Sequence, residues 1–238
     1  MMSKAGLALM ILMLAARAAP AEVVHFKSAD GFTLEAELTR PAAEGAAPAV
    51  VLAHGFRYTR GSYDPLVPEL VEAGIAALAV DLRGRGGSTA EVARKELLSK
   101  AQQGNLWLDI AAGLDFLRSR AGIDPARLGV AGASFSGIPA LRAGSERPLV
   151  RAVVVIASAR VPEPIAAYYR AHPEVAVLFV STEDDPLHPP VQAALDALGG
   201  AGAARQVKIF PRGGHAPQMF GQGVGAEQAI VEFLRAHL

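Results

Sequence analysis

The sequence predicts an α/β fold, a mostly parallel sheet with helices on both faces and an antiparallel hairpin at its N-terminal edge. Three observations carry this expectation. Short, continuous apolar runs alternate with segments of helical spacing from about residue 49 to the end, the pattern of a parallel sheet wrapped by helices. The pair Asp30-Gly31 separates two runs that alternate apolar and polar residues, a hairpin signal. Finally, a serine, acidic residues and a histidine each fall just after an apolar run, at the sheet edge where open α/β folds place their ligands.

Taken in order, residues 23–26 and 33–38 are the hairpin arms. Residues 40–48, rich in Ala, Gly and Pro, read as a loop. The apolar run 49–53 is expected to be a strand covered on both faces. Asp64-Pro65 supplies an N-cap and a first-turn proline for a helix that stops at Gly74. Residues 75–80 form the next buried strand. Apolar residues at 106, 110, 114 and 117 predict a helix over 105–120. Strands follow at 128–131, 152–157, 175–180 and 207–210, with helices at 137–144, 164–171, 189–198 and 225–236. The stretch 158–173 holds about one helix, so no large lid domain is expected.

Hydrophobic residues make up 51% of the 238, enough for a sizeable core in one domain. Lys plus Arg and Asp plus Glu both total 23, so no basic excess points to nucleic acid. The lack of cysteine excludes disulfides, thiolate metal sites and a cysteine nucleophile. No metal-ligand spacing such as His-x-x-x-His occurs, and no cofactor or metal is expected. The first 21 residues read as a signal peptide: Lys4, an apolar run over 5–16, then Ala19-Pro20-Ala21. That run is shorter than the roughly 20 residues of a membrane span. Cleavage after Ala21 would leave residues 22–238 as one exported domain, periplasmic or secreted.

The residues after the strands carry the chemistry. His54-Gly55-Phe56 follows the run 49–53, and Asp81-Leu82-Arg83-Gly84-Arg85-Gly86 follows 75–80. Gly132-Ala133-Ser134-Phe135-Ser136-Gly137 follows 128–131, Glu183-Asp184-Asp185-Pro186 follows 175–180, and Gly213-Gly214-His215 follows 207–210. Serine, acid and histidine thus share one sheet edge, in the chain order of one hydrolase architecture. A strand turning sharply into a helix projects its turn residue, here Ser134, into the site. The helix N-terminus then favours negative charge beside it. Ser136 is a second serine in the same turn, but that register puts Ser134 and Ile138 at the positions where small residues are needed.

Together these motifs resemble the α/β-hydrolase superfamily, near its small esterase and dienelactone-hydrolase-like members, over roughly residues 23–237. The resemblance implies a Ser134 nucleophile, a His215 base and an acid at Asp185, because Asp185-Pro186-Leu187-His188-Pro189 matches the family's acid loop. Asp184 remains the alternative acid. It also implies an oxyanion hole from the backbone N–H groups of Phe135 and Phe56. The family's second glycine is replaced here by Ser136. His54 is expected to hold its loop, and Asp81 to hold the following turn through Arg83. Tyr168 and Tyr169 are expected to pack on the sheet. The implied activity is hydrolysis of a small carboxylic ester through an acyl-enzyme. A peptidase, lactonase, acyltransferase or non-catalytic binding module on the same fold stays open.

Overall fold

The computed structural model describes residues 18–202 and 204–238. Most of the expected leader, residues 1–17, lies outside the described residues. Strands β1 (Glu22–Lys27) and β2 (Thr33–Thr39) pair antiparallel around Gly31, whose φ of +92° suits the turn. β2 also lies antiparallel to β4 (Ala76–Val80). β3 (Ala47–Ala53), β5 (Ile123–Ala133), β6 (Val150–Ile156), β7 (Ala176–Thr182) and β8 (Arg205–Phe210) run parallel to β4. The eight-stranded order is β1-β2-β4-β3-β5-β6-β7-β8.

The helices are α1 (Val67–Glu72), α2 (Lys100–Gly104), α3 (Leu106–Arg118), α4 (Gly137–Ser145), α5 (Glu163–Ala171), α6 (Val191–Ala197) and α7 (Ala226–His237). Alternation along the buried strands assigns them to two faces. Val51 and Val153 join the core built with α3, α4, α5 and α6, whereas Val50 and Val154 join the core built with α1 and α7. β4 and β5 flank β3 on opposite sides. The carboxyl ends of β3 and β5 therefore border the point where the strand order reverses, the usual ligand crevice of an open α/β sheet.

Three departures from expectation exceed a shift of two residues. The helix from Asp64 begins at Val67 instead, because residues Arg60–Tyr63 form a 3-10 turn and the Asp64 N–H donates to Gly61 O. β5 reaches back to Ile123, with a register irregularity against β3; Asp124, Pro125 and Arg127 break its apolar run and conceal this start in the sequence. The helix over 105–120 is preceded by α2, whose Ser99 and Gln102 form a reciprocal capping box. That signal is present in the sequence.

At the amino edge of the sheet, buried Arg205 makes no close ion pair among the described residues. It donates to Tyr169 O (2.6 Å), His172 O (3.0 Å), Val175 O (3.3 Å) and Leu198 O. Burial lowers its pKa, and its charge sits at the C-terminal ends of α5 and α6, where helix dipoles favour a cation. Arg205→Met is expected to cost about 2–3 kcal/mol in thermal unfolding. Arg205 lies at the edge opposite Ser134, so any turnover that depends on that serine should stay at the wild-type value in the folded variant.

Candidate active site

β5 ends at Ala133, and the chain turns through Ser134–Ser136 into α4. Ser134 stands at φ +52°, a left-handed conformation that costs a non-glycine residue on the order of 1–3 kcal/mol. The strained turn lifts the side chain off the strand. Gly132 makes the turn possible. A Cβ there would lie 2.4 Å from Ser136 O and 2.7 Å from the Ala140 Cβ. Ser136 is fully buried; its Oγ donates to Ala53 O at 2.6 Å and accepts from the Ala133 N–H at 2.8 Å. It ties the elbow to the end of β3, which explains how serine serves where the resemblance has glycine.

The structure brings Ser134, His215 and Asp185 into one chain of hydrogen bonds. His215 Nε2 lies 2.7 Å from Ser134 Oγ. Its Nδ1 lies 2.8 and 3.0 Å from the two Asp185 oxygens. A carboxylate only accepts, so Nδ1 carries the proton and Nε2 is left to accept from the serine hydroxyl. Asp185 is fully buried, and the Leu187 N–H also donates to it at 2.8 Å. His215 keeps a small exposed fraction, 18% of its side chain, so the site is reachable from solvent.

Asp184 has a different job. It accepts from the N–H groups of Gly214 (2.8 Å) and Gly213 (3.2 Å), and Thr182 Oγ1 donates to Gly214 O at 2.7 Å. The Gly214 N–H, then the Thr182 hydroxyl and the Gly213 N–H, hold its carboxyl below the usual range. The adjacent acids thus divide the work: one clamps the backbone of the histidine loop, the other contacts the imidazole.

A Cβ on Gly55 would lie 3.6 Å from the Ser134 Cβ, which puts the start of the β3 loop, and with it Phe56, beside the serine. The Phe56 and Phe135 rings meet edge to face at 5.4 Å. Beneath this loop, buried His54 accepts the Leu82 N–H at Nε2 (3.0 Å), leaving Nδ1–H to donate to Gly55 O (2.7 Å). His54 therefore holds its loop, as expected. Tyr169 packs in the core with its hydroxyl on Leu141 O (2.8 Å), and Tyr168 stacks on His172.

The expected Asp81–Arg83 contact is not made. Asp81 pairs with Arg60, accepting from its guanidinium, from its backbone N–H (2.8 Å) and from the Gly87 N–H (3.1 Å). Arg83 points away into the core to Asp30 and Asp109. Arg60 also reaches Glu35 at 2.6 Å, a partner 25 residues distant that no local pattern marks. A cavity of about 620 Å³ adjoins this network and is lined by none of Ser134, Asp185 and His215; its walls carry the charged Glu35, Glu37, Arg60, Asp64 and Asp81 beside Val67, Pro68 and Ala79. Among the described residues no cluster of three or more His, Asp or Glu is placed to hold a metal ion, and no helix is long and apolar enough to cross a membrane.

The fold matches solved α/β hydrolases. An esterase of Pyrococcus furiosus, Pf2001, superposes with a TM-score of 0.71 at 18% identity, covering 92% of this chain and 93% of that one. A dienelactone hydrolase of Anabaena variabilis gives 0.70 at 24% identity, covering 92% and 96%. The family described as serine aminopeptidase, S33, matches residues 45–182, more than half of the chain. The chain belongs to this hydrolase family, within the α/β-hydrolase superfamily. The matched region includes Ser134, and Asp185 and His215 follow it. Among curated relatives, a thiohydrolase of Arthrinium phaeospermum is 33% identical over 142 residues, 59% of this chain and 44% of that protein. A putative hydrolase of Bacillus subtilis, YtaP, is 31% identical over 115 residues, 41% of this chain and 38% of that protein. The matched stretches span less than half the length of these relatives.

Proposed function

We propose that the protein is an exported serine hydrolase that cleaves small carboxylic esters through an acyl-enzyme. The observation that carries this reading is the Ser134–His215–Asp185 hydrogen-bond chain on a left-handed elbow. Ser134 Oγ attacks the ester carbonyl as its proton passes to His215 Nε2. The backbone N–H groups of Phe135 and Phe56 are assigned to the developing oxyanion. His215 then protonates the departing alkoxide, giving the alcohol. Water, deprotonated by His215, attacks the acyl-enzyme, and the proton returns to Ser134 as the acid leaves. Asp185 orients the imidazole and stabilises its charged form. No cofactor takes part in these steps. The thiohydrolase relative makes a thioester a natural second substrate for the same acyl transfer.

The test uses purified protein lacking residues 1–21, p-nitrophenyl esters, an S-acyl thioester and a fluorophosphonate probe. Turnover together with labelling of Ser134, located by peptide mass spectrometry, is the expected result. Absence of turnover and of labelling would favour a binding module on the same fold. Export is tested by expressing the full chain and fractionating the cells. The expected product is outside the cytoplasm and begins at Glu22.

A further inference from the structure

A cleft of about 280 Å³ opens at the carboxyl edge of the sheet between the starts of α3, α4 and α5. Its walls are Leu106 and Trp107 on α3, Phe135 and Ile138 beside the elbow, and Pro162 and Ile165 at α5. The Arg142 guanidinium lies over the Trp107 ring at 4.5 Å, which holds the indole as one wall. We infer that this cleft binds the acyl chain of the substrate, an apolar group of about six to eight carbons, which narrows the proposed function to medium-chain acyl esters. The inference rests on the serine-esterase reading.

Three observations support it. Phe135, which lines the cleft, directly follows Ser134 in the elbow, so one wall of the cleft belongs to the turn that carries the proposed nucleophile. Position then separates acyl from alcohol. The cleft lies on the face built by α3, α4 and α5, whereas His215 enters from the other face, where Ala216 and Met219 pack in the core shared with α1 and α7. His215 protonates the leaving alkoxide, so the alcohol lies on the His215 side and the acyl chain on the opposite side. Size sets the chain length. An apolar cavity of about 150 Å³ holds a benzene ring, and 280 Å³ leaves room for a six- to eight-carbon chain and its path to the carbonyl. Its apolar walls contrast with the cavity around Arg60, where Glu35, Glu37, Asp64 and Asp81 also face the space.

The experiment varies the acyl chain at a constant leaving group, with p-nitrophenyl esters from acetate to dodecanoate. Each buried methylene is worth about fourfold, and kcat/KM is expected to rise at least tenfold from acetate to hexanoate or octanoate, then fall. Ile138→Trp fills the cleft, and its octanoate-to-acetate ratio should drop at least tenfold. Trp107→Ala enlarges the cleft, and its optimum should move to longer chains. Thermal unfolding of both variants confirms that they are folded. A flat chain-length profile in active wild-type protein, or a profile that neither folded variant moves, overturns the acyl assignment and leaves the esterase reading standing. Acetate esters of a series of alcohols form the complementary arm: if Ile138→Trp changes selectivity there instead, the cleft holds the alcohol. Loss of all ester turnover and labelling in the wild-type protein removes the esterase reading and this inference with it.

Discussion

Ser134→Ala is expected to lower kcat/KM by about 10⁴–10⁶-fold while thermal unfolding stays at the wild-type temperature. The large loss follows from removal of the nucleophile, which leaves only binding and oxyanion stabilisation. The stability is preserved because alanine occupies the same strained backbone at φ +52° and the deleted hydroxyl contacts only His215 among the hydrogen bonds described. Ser136→Ala provides the contrast. It removes bonds to Ala53 O and the Ala133 N–H, costs about 1–3 kcal/mol of stability and retains measurable turnover. The two acids separate in the same way. Asp185→Asn is expected to cost about 10⁴-fold in kcat, because an amide no longer enforces the Nδ1–H tautomer. Asp184→Asn keeps an acceptor for one of the two glycine N–H groups, which donate to different carboxylate oxygens, and does not touch the imidazole, so its loss should stay within about tenfold. Equal losses for the two acid variants would contradict the assignment of Asp185 to the imidazole.

Arg83→Met is expected to be the most destabilising of the substitutions considered. Arg83 is fully buried; it donates to Asp109 through Nε and Nη2 and to Asp30 through Nη1 (2.7 Å), and its guanidinium lies 4.1 Å over the Phe32 ring. These bonds join the β1–β2 turn, the loop after β4 and the first turn of α3. Burial raises the Asp109 carboxyl above the usual range, and Arg83 opposes that rise. Without the arginine, Asp109 is left as an uncompensated buried acid. Breaking such a pair from one side costs about 3–5 kcal/mol, or about 6–20 °C in Tm for a domain of this size. Calorimetry reads the shift directly. The double variant Arg83→Met, Asp109→Leu should recover part of it, because the fully buried carboxylate is gone and only the part-exposed Asp30 is left without the arginine. A Tm for Arg83→Met within about 2 °C of wild type would show that the network carries no net stability.

The strand and helix order was legible because each buried strand must be apolar along its whole length and each helix carries a 3.6-residue stripe. The elbow was legible for a related reason. A small residue at 132 is required wherever backbone passes within contact distance, and such requirements leave a local mark. The start of α1 was misplaced because Asp64-Pro65 satisfies the cap rule, yet the 3-10 turn before it already uses the Asp64 N–H. α2 was missed although Ser99 and Gln102 advertise it, because it buries none of its residues and so has no apolar stripe.

The α/β architecture, the strand ends and the order of serine, acid and histidine along the chain are legible in contiguous residues, through periodicity, turn chemistry or close backbone approach. The folded chain separates Asp184 from Asp185, neighbours of identical chemistry: the first accepts from the Gly213 and Gly214 N–H groups and the second contacts the imidazole. It alone showed Asp81 with Arg60 instead of Arg83, Arg205 bound among carbonyls, and an apolar cleft on the face opposite His215. Those outcomes depend on groups such as Arg60 and Asp81, 21 residues apart, or Tyr169 and Arg205, 36 apart, that meet only when the strands pair, and no local pattern specifies such partners.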